Sequence, residues 1–244
     1  MSDEYVVIPP DRLEDDQINV ENRLHIISKI NACETKKEEL DTSVIDQLLG
    51  LFHGSNVFIF ATMCTTSGQL NPVYTRYIGQ HGENTRDIVV LPLCDSHHFY
   101  GFIVELKKKR ITYINSLNPY LRKGRRSVIQ KLVEVYFPEV DEKAVSCVSF
   151  FNEKVQFDSY TCGAWLVTAI AAHILGLSSN LLSYANIFNI CITLIEDLPL
   201  YEVKTKVTNS LLANDVILAC NNRKRPLVTE EDEDDLYENF MHKL

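Results

Sequence analysis

The chain has 244 residues, 45% of them apolar and 23% charged, which fits a globular protein that buries a core and excludes collagen, coiled coil and wholesale disorder. The formal net charge of -9 is uneven: the first 16 residues hold six acids and one Arg, residues 230–244 hold seven acids and one Lys, and the body between them is close to neutral. A near-neutral body argues against a general nucleic-acid binder.

In chain order, the acidic start predicts a solvated arm over 1–20; it lacks the basic-then-apolar pattern of a secretory signal, so an intracellular protein of the nucleus or cytoplasm is expected. A domain over 21–225 follows. Within it, Leu40, Val44, Ile45, Leu48, Leu49 and Phe52 share one face and predict a helix over 38–52. Short β-branched and aromatic runs predict strands over 56–63, 87–94, 98–106 and 110–115, the last two joined by a charged hairpin at Lys107 to Lys109. Val128, Leu132 and Val135 predict a surface helix over 125–137, and residues 144–151 read as another strand. An apolar helix is expected over 162–175, with further helices over 181–195 and 207–219, and residues 226–244 read as an acidic, disordered tail. Strands clustered between groups of helices indicate an α+β fold. The longest apolar run, Ala164 to Leu177, contains Thr168 and His173 and is too short to span a bilayer, so no membrane segment is expected.

The seven Cys residues are at least 15 residues apart, which excludes a C-x-x-C pair and predicts reduced, mostly buried thiols with no structural zinc. No metal or cofactor is expected. One thiol stands apart. Cys162 opens the apolar helix and is followed by Gly163, and a helix N-terminus favours an anion, so this thiol is expected to ionise readily. Gly163 leaves room for a substrate backbone. Gln156 offers an amide donor that, with the Cys162 N–H, could hold an oxyanion. His98 and Asn115 lie at the far ends of the two hairpin strands, where counting from the turn sets them side by side, and Cys-His-Asn is a working form of the nucleophile–base–orienter triad. Adjacent strand residues face opposite sides, so only one of His97 and His98 can serve.

The order His98-Phe99, Asn115-Ser116-Leu117 and Gln156 to Cys162-Gly163, with 17 residues from His to Asn and Q-x5-C-G at the nucleophile, resembles the Ulp-type cysteine proteases. That family includes the sentrin (SUMO)-specific proteases and, more distantly, adenovirus protease. The resemblance runs from about Leu40 to Leu175. It implies a papain-like fold of the Ulp/adenain type, with a central mixed or antiparallel sheet flanked by helices. It implies Cys162 as nucleophile, His98 rather than His97 as base, Asn115 as orienter, Gln156 at the oxyanion, and Phe99 and Gly163 beside the substrate. The partner so implied is a ubiquitin-like modifier, SUMO first, cleaved after its C-terminal glycine by a monomeric enzyme. Phe99 stands where the family usually has Trp, and Asn115 and Thr161 where it usually has Asp. These departures leave two other expectations open: a binder of such a modifier that does not cleave it, and a protease of other proteins.

Overall fold

The computed structural model describes residues 20–52, 54, 56–66, 69–80, 86–120, 123–196, 202 and 205–209. The expected acidic arm, apart from residue 20, the tail over 226–244 and residues 210–219 of the last expected helix lie outside them. Helix α1 (Val20–Lys36) was not anticipated, because among its described side chains only Ile26, Ile30 and Cys33 form a buried stripe. Helix α2 (Thr42–Gly50) begins where the Asp41 carboxylate accepts from the Val44 N–H at 3.0 Å.

The expected strand over 56–63 is two strands, β1 (Val57–Ile59) and β2 (Met63–Thr66), because Asp46 of α2 takes the N–H and the hydroxyl of Thr62 between them, at 2.7 and 2.5 Å. Two short elements follow that the sequence did not announce, β3 (Gln69–Leu70) and helix α3 (Pro72–Gln80). Next come β4 (Ile88–Asp95), β5 (His98–Glu105), β6 (Arg110–Ile114), helix α4 (Lys123–Tyr136), β7 (Ser146–Ser149), helix α5 (Cys162–Ile174) and helix α6 (Tyr184–Ile195). These fall close to the expected positions.

The strands form one mixed sheet in the order β3-β2-β4-β5-β6-β7, with β1 also on β4. Strands β4, β5 and β6 run antiparallel, while β1 and β2 lie parallel to β4, and β7 parallel to β6. Both faces of the sheet are covered, and β5 shows it by alternation. Phe99 and Ile103 join the core that contains α1, α2, α5 and α6, whereas Tyr100, Phe102 and Val104 join the core with α4. Gly101 lets α5 come close: a Cβ there would sit 3.1 Å from Leu166 Cδ1 and 3.0 Å from the Leu91 carbonyl. Residues 162–172 of α5 are buried on every side, as expected of a helix apolar all round. Trp165 lies edge-on to Phe151, with ring centroids 5.8 Å apart, in this core.

Candidate active site

The β5–β6 hairpin does what the count from its turn predicts. Tyr113 pairs with Phe102 and Ile114 with Gly101, which puts Tyr113 and Asn115 on the same face as Tyr100 and His98. His98 Nε2 lies 2.9 Å from Asn115 Oδ1. The amide is held from three sides: Oδ1 accepts from the backbone N–H of Leu117 and Asn118, and Nδ2 donates to the Tyr113 hydroxyl at 2.6 Å. With Oδ1 fixed as acceptor, His98 Nε2 must be the donor. The neutral ring therefore carries its proton on Nε2 and leaves the Nδ1 lone pair as a base. Burial pushes the His98 pKa down to about 4, aided by the Arg125 cation and opposed by Asn115 and Asp95. At neutral pH this imidazole is uncharged.

Cys162 takes the first position of α5. It is 1% exposed, and its thiol donates to the His97 carbonyl at 3.6 Å. The expectation of an easily ionised thiol is corrected here. Burial pushes the pKa up to about 11, with Glu39 adding to the rise, and the N–H groups of Phe99, Gly163 and Cys162 pull it back only in part. The helix N-terminus is present, but the desolvation is stronger. In the resting arrangement the sulfur is thus hydrogen-bonded to backbone at the start of β5, and the imidazole to Asn115. Among the described residues no hydrogen bond joins the two.

The His97 carbonyl reaches the thiol because Ser96 and His97 form the two-residue turn between β4 and β5, both with positive φ, 49° and 68°. That is the geometry of a tight hairpin turn, occupied here by residues with side chains. The His97 ring itself is turned outward, 87% exposed and 3.7 Å from Glu39.

Gln156 is buried against the end of β6. Ser116 donates to its Oε1 at 2.6 Å, while its Nε2 donates to the Asp158 carbonyl at 2.8 Å. Asp158 is the residue sequence reasoning missed. Its carboxylate accepts from the N–H of Tyr160 and Thr161 and from the Thr161 hydroxyl, which closes the loop that delivers Cys162 to the head of α5. An Asp four residues before a helix start is a readable signal for such a loop.

The two expected substrate contacts are filled by the protein itself. Phe99 belongs to the α5-side core. A Cβ on Gly163 would lie 3.0 Å from Ile45 Cδ1 and 3.2 Å from Leu40 Cβ, so the bareness of this residue serves close packing on α2. The neighbouring Phe157, by contrast, is 82% exposed beside the Lys154 ammonium. Among the described residues there is no cluster of three or more His, Cys, Asp or Glu able to hold a metal ion, and no helix is long and apolar enough to cross a membrane.

No protein-family profile and no curated protein matches the chain. Solved structures do. The SUMO protease Ulp1 with its catalytic cysteine oxidised to a sulfinic acid is 14% identical, with a TM-score of 0.53 over 80% of this chain and 98% of that one. The Ulp1-like SUMO protease catalytic domain of Chaetomium thermophilum is 15% identical, with a TM-score of 0.51 over 78% and 94%. The ASFV pS273R protease is 13% identical, with a TM-score of 0.51 over 64% and 66%. At these identities the likeness is one of fold: the mixed sheet flanked by helices is the Ulp/adenain-type arrangement.

Proposed function

We propose, from a fold shared with the Ulp1-like SUMO proteases, that this chain is a cysteine peptidase that cleaves after the C-terminal glycine of a ubiquitin-like modifier, SUMO first. The Ulp1 protease domain has been solved in complex with Smt3, the yeast ortholog of SUMO, at 12% identity and a TM-score of 0.51 over 80% of this chain. The observation that carries the reading is the His98–Asn115 hydrogen bond, because it fixes the tautomer that frees Nδ1 at the strand end whose backbone holds the Cys162 thiol.

The chemistry follows from the two protonation states. The thiol and the imidazole are both neutral at rest, so the proton moves as the sulfur attacks. Cys162 gives up the His97 carbonyl, passes its proton to His98 Nδ1 and adds to the carbonyl carbon of the modifier's last glycine. The Cys162 N–H faces the resulting oxyanion, and Gln156 Nε2 joins it by releasing Asp158. His98 returns the proton to the departing amine, and water, deprotonated by the same nitrogen, hydrolyses the thioester. A thiol nucleophile works in a reducing compartment, so we place its action inside the cell, in nucleus or cytoplasm.

The experiment is a panel of modifiers, SUMO and ubiquitin among them, each ending in a cysteine-reactive electrophile. The expected result is a covalent adduct with SUMO that disappears in Cys162→Ala. Adducts with another modifier alone would move the substrate assignment and keep the chemistry. A second reading has its own support: the buried, protonated thiol and the occupied Gln156 donor suit a protein that binds a modifier without cleaving it. Tight binding with no adduct would establish that reading instead.

A further inference from the structure

Behind His98 lies a polar chain that neither the triad nor the sequence motif includes. Asn115 Nδ2 donates to the Tyr113 hydroxyl, and that hydroxyl also accepts from Arg125 Nη1 of α4. The guanidinium lies over the Tyr100 ring, 4.0 Å from its centroid, and 5.6 Å from that of Tyr113. Tyr100 is fixed in turn by a 3.0 Å hydrogen bond between its hydroxyl and Thr65, and the His98 ring lies nearly parallel to it at 6.3 Å. Tyr100, Tyr113 and Asn115 are all buried.

We propose that Arg125 and Tyr113 are positioning residues for the His98 base: the Tyr113 hydroxyl, braced by Arg125, takes the Nδ2 of an Asn115 amide whose Oδ1 the Leu117 and Asn118 N–H groups fix, and the Arg125 cation opposes an imidazolium beside that amide. The proposal rests on the peptidase reading for its consequence in turnover, but its geometry stands apart from it. An Asn can present either its oxygen or its nitrogen to a neighbour. A flipped Asn115 would set its NH2 against His98 Nε2–H and against the Leu117 and Asn118 N–H groups, and would give up the hydroxyl acceptor that Arg125 braces. The charge argument is equally local. The groups facing His98 are Asp95, its partner across the β4–β5 pair, and Arg125 from α4, together with the neutral Asn115, Tyr100 and Tyr113. Because position 115 is an amide, the carboxylate that would offset Arg125 is absent from the chain of hydrogen bonds.

The test uses the full chain, with the His98 ring followed by NMR and turnover followed on SUMO carrying a fluorogenic C-terminal amide. Wild type is expected to show the Nε2–H tautomer at neutral pH. Arg125→Met is expected to raise the His98 titration midpoint by about 0.5 or more on the pH scale and to move the acid limb of kcat/KM by the same amount. Arg125→Lys, which keeps the charge but not the planar fork, should restore the midpoint. Tyr113→Phe, which leaves Asn115 Nδ2 without its acceptor, is expected to lower kcat about three- to tenfold with KM unchanged. Thermal unfolding of each variant reports whether it folds, and Arg125→Lys supplies the charge comparison if Arg125→Met does not. An unchanged midpoint in folded Arg125→Met, together with an unchanged kcat in folded Tyr113→Phe, would overturn the proposal. Ring signals that move as expected in a wild-type protein that never turns over would leave the positioning role standing and count against the peptidase reading.

Discussion

The β5–β6 hairpin has two polar ends, and they are built on opposite principles. At its closed end the Glu105 carboxylate is buried and collects Lys108 at 2.7 Å, Arg110 at 2.5 Å and His173 of α5 at 3.3 Å. These partners outweigh the burial and hold its pKa below the ordinary value. At the open end, His98 meets a neutral amide, its nearest cation works against its protonation, and its pKa falls to about 4. The first cluster is saturated and acts as a clamp between hairpin and helix. The second keeps a lone pair in reserve. The half-buried histidine with a carboxylate partner ties helix to hairpin, and the one given an amide is the base of the proposed mechanism.

That contrast can be broken from either side. The largest effect is expected at the open end: His98→Ala should cost at least about a hundredfold in kcat/KM on the fluorogenic SUMO substrate, while His97→Ala, whose ring faces solvent, should cost less than about tenfold. Equal losses would show that the imidazole of 98 is not the base. At the closed end, Glu105→Gln should leave kcat nearly unchanged and lower stability by about 2 kcal/mol in denaturant titration, since Arg110 is a third exposed and water relieves part of the loss. A drop in kcat without a loss of stability would merge the two ends.

Acid sharpens the comparison through its sign. His98 has a folded pKa of about 4 against 6.5 for the free ring, so the unfolded chain binds the extra proton between those values, and stability falls as pH drops from 6.5 towards 4. Glu105, with its lowered pKa, contributes in the same direction, whereas Asp46, raised to about 6 by burial, contributes in the opposite one. Subtracting the stability curve of His98→Gln from that of wild type isolates the histidine, and a flat difference over that range would contradict its burial. Asn115→Asp should retain or raise turnover, because it adds the carboxylate that Arg125 lacks, and should shift the acid limb upward. The smallest effect is structural: His97→Gly should stabilise the fold by about 1 kcal/mol in thermal unfolding, because its φ of 68° strains a residue with a side chain.

Much of this was readable from the residues. The strands from β4 to β6 and the all-apolar α5 announced themselves by period and composition, and the His98–Asn115 pairing followed from counting across one turn. What failed to show did so for physical reasons. Helix α1 buries too thin a stripe to raise a periodic signal, and the break between β1 and β2 is imposed by Asp46, 16 residues before the Thr62 it binds. Arg125 stands at the start of what the sequence offers only as a surface helix over 125–137, and the packing of α4 brings it over Tyr100. At Cys162 the helix start that favours a thiolate is visible in the sequence, and the depth of burial that opposes it is not.

The protein contains a single tryptophan, and it stands three residues after Cys162 on the same buried helix, edge-on to Phe151. Its fluorescence therefore comes from one spot in the interior, on the first turn of the helix that Cys162 opens, with no second indole to dilute it. Any ligand that reshapes the head of α5 will report itself through that emission, without a dye and before any bond is cut.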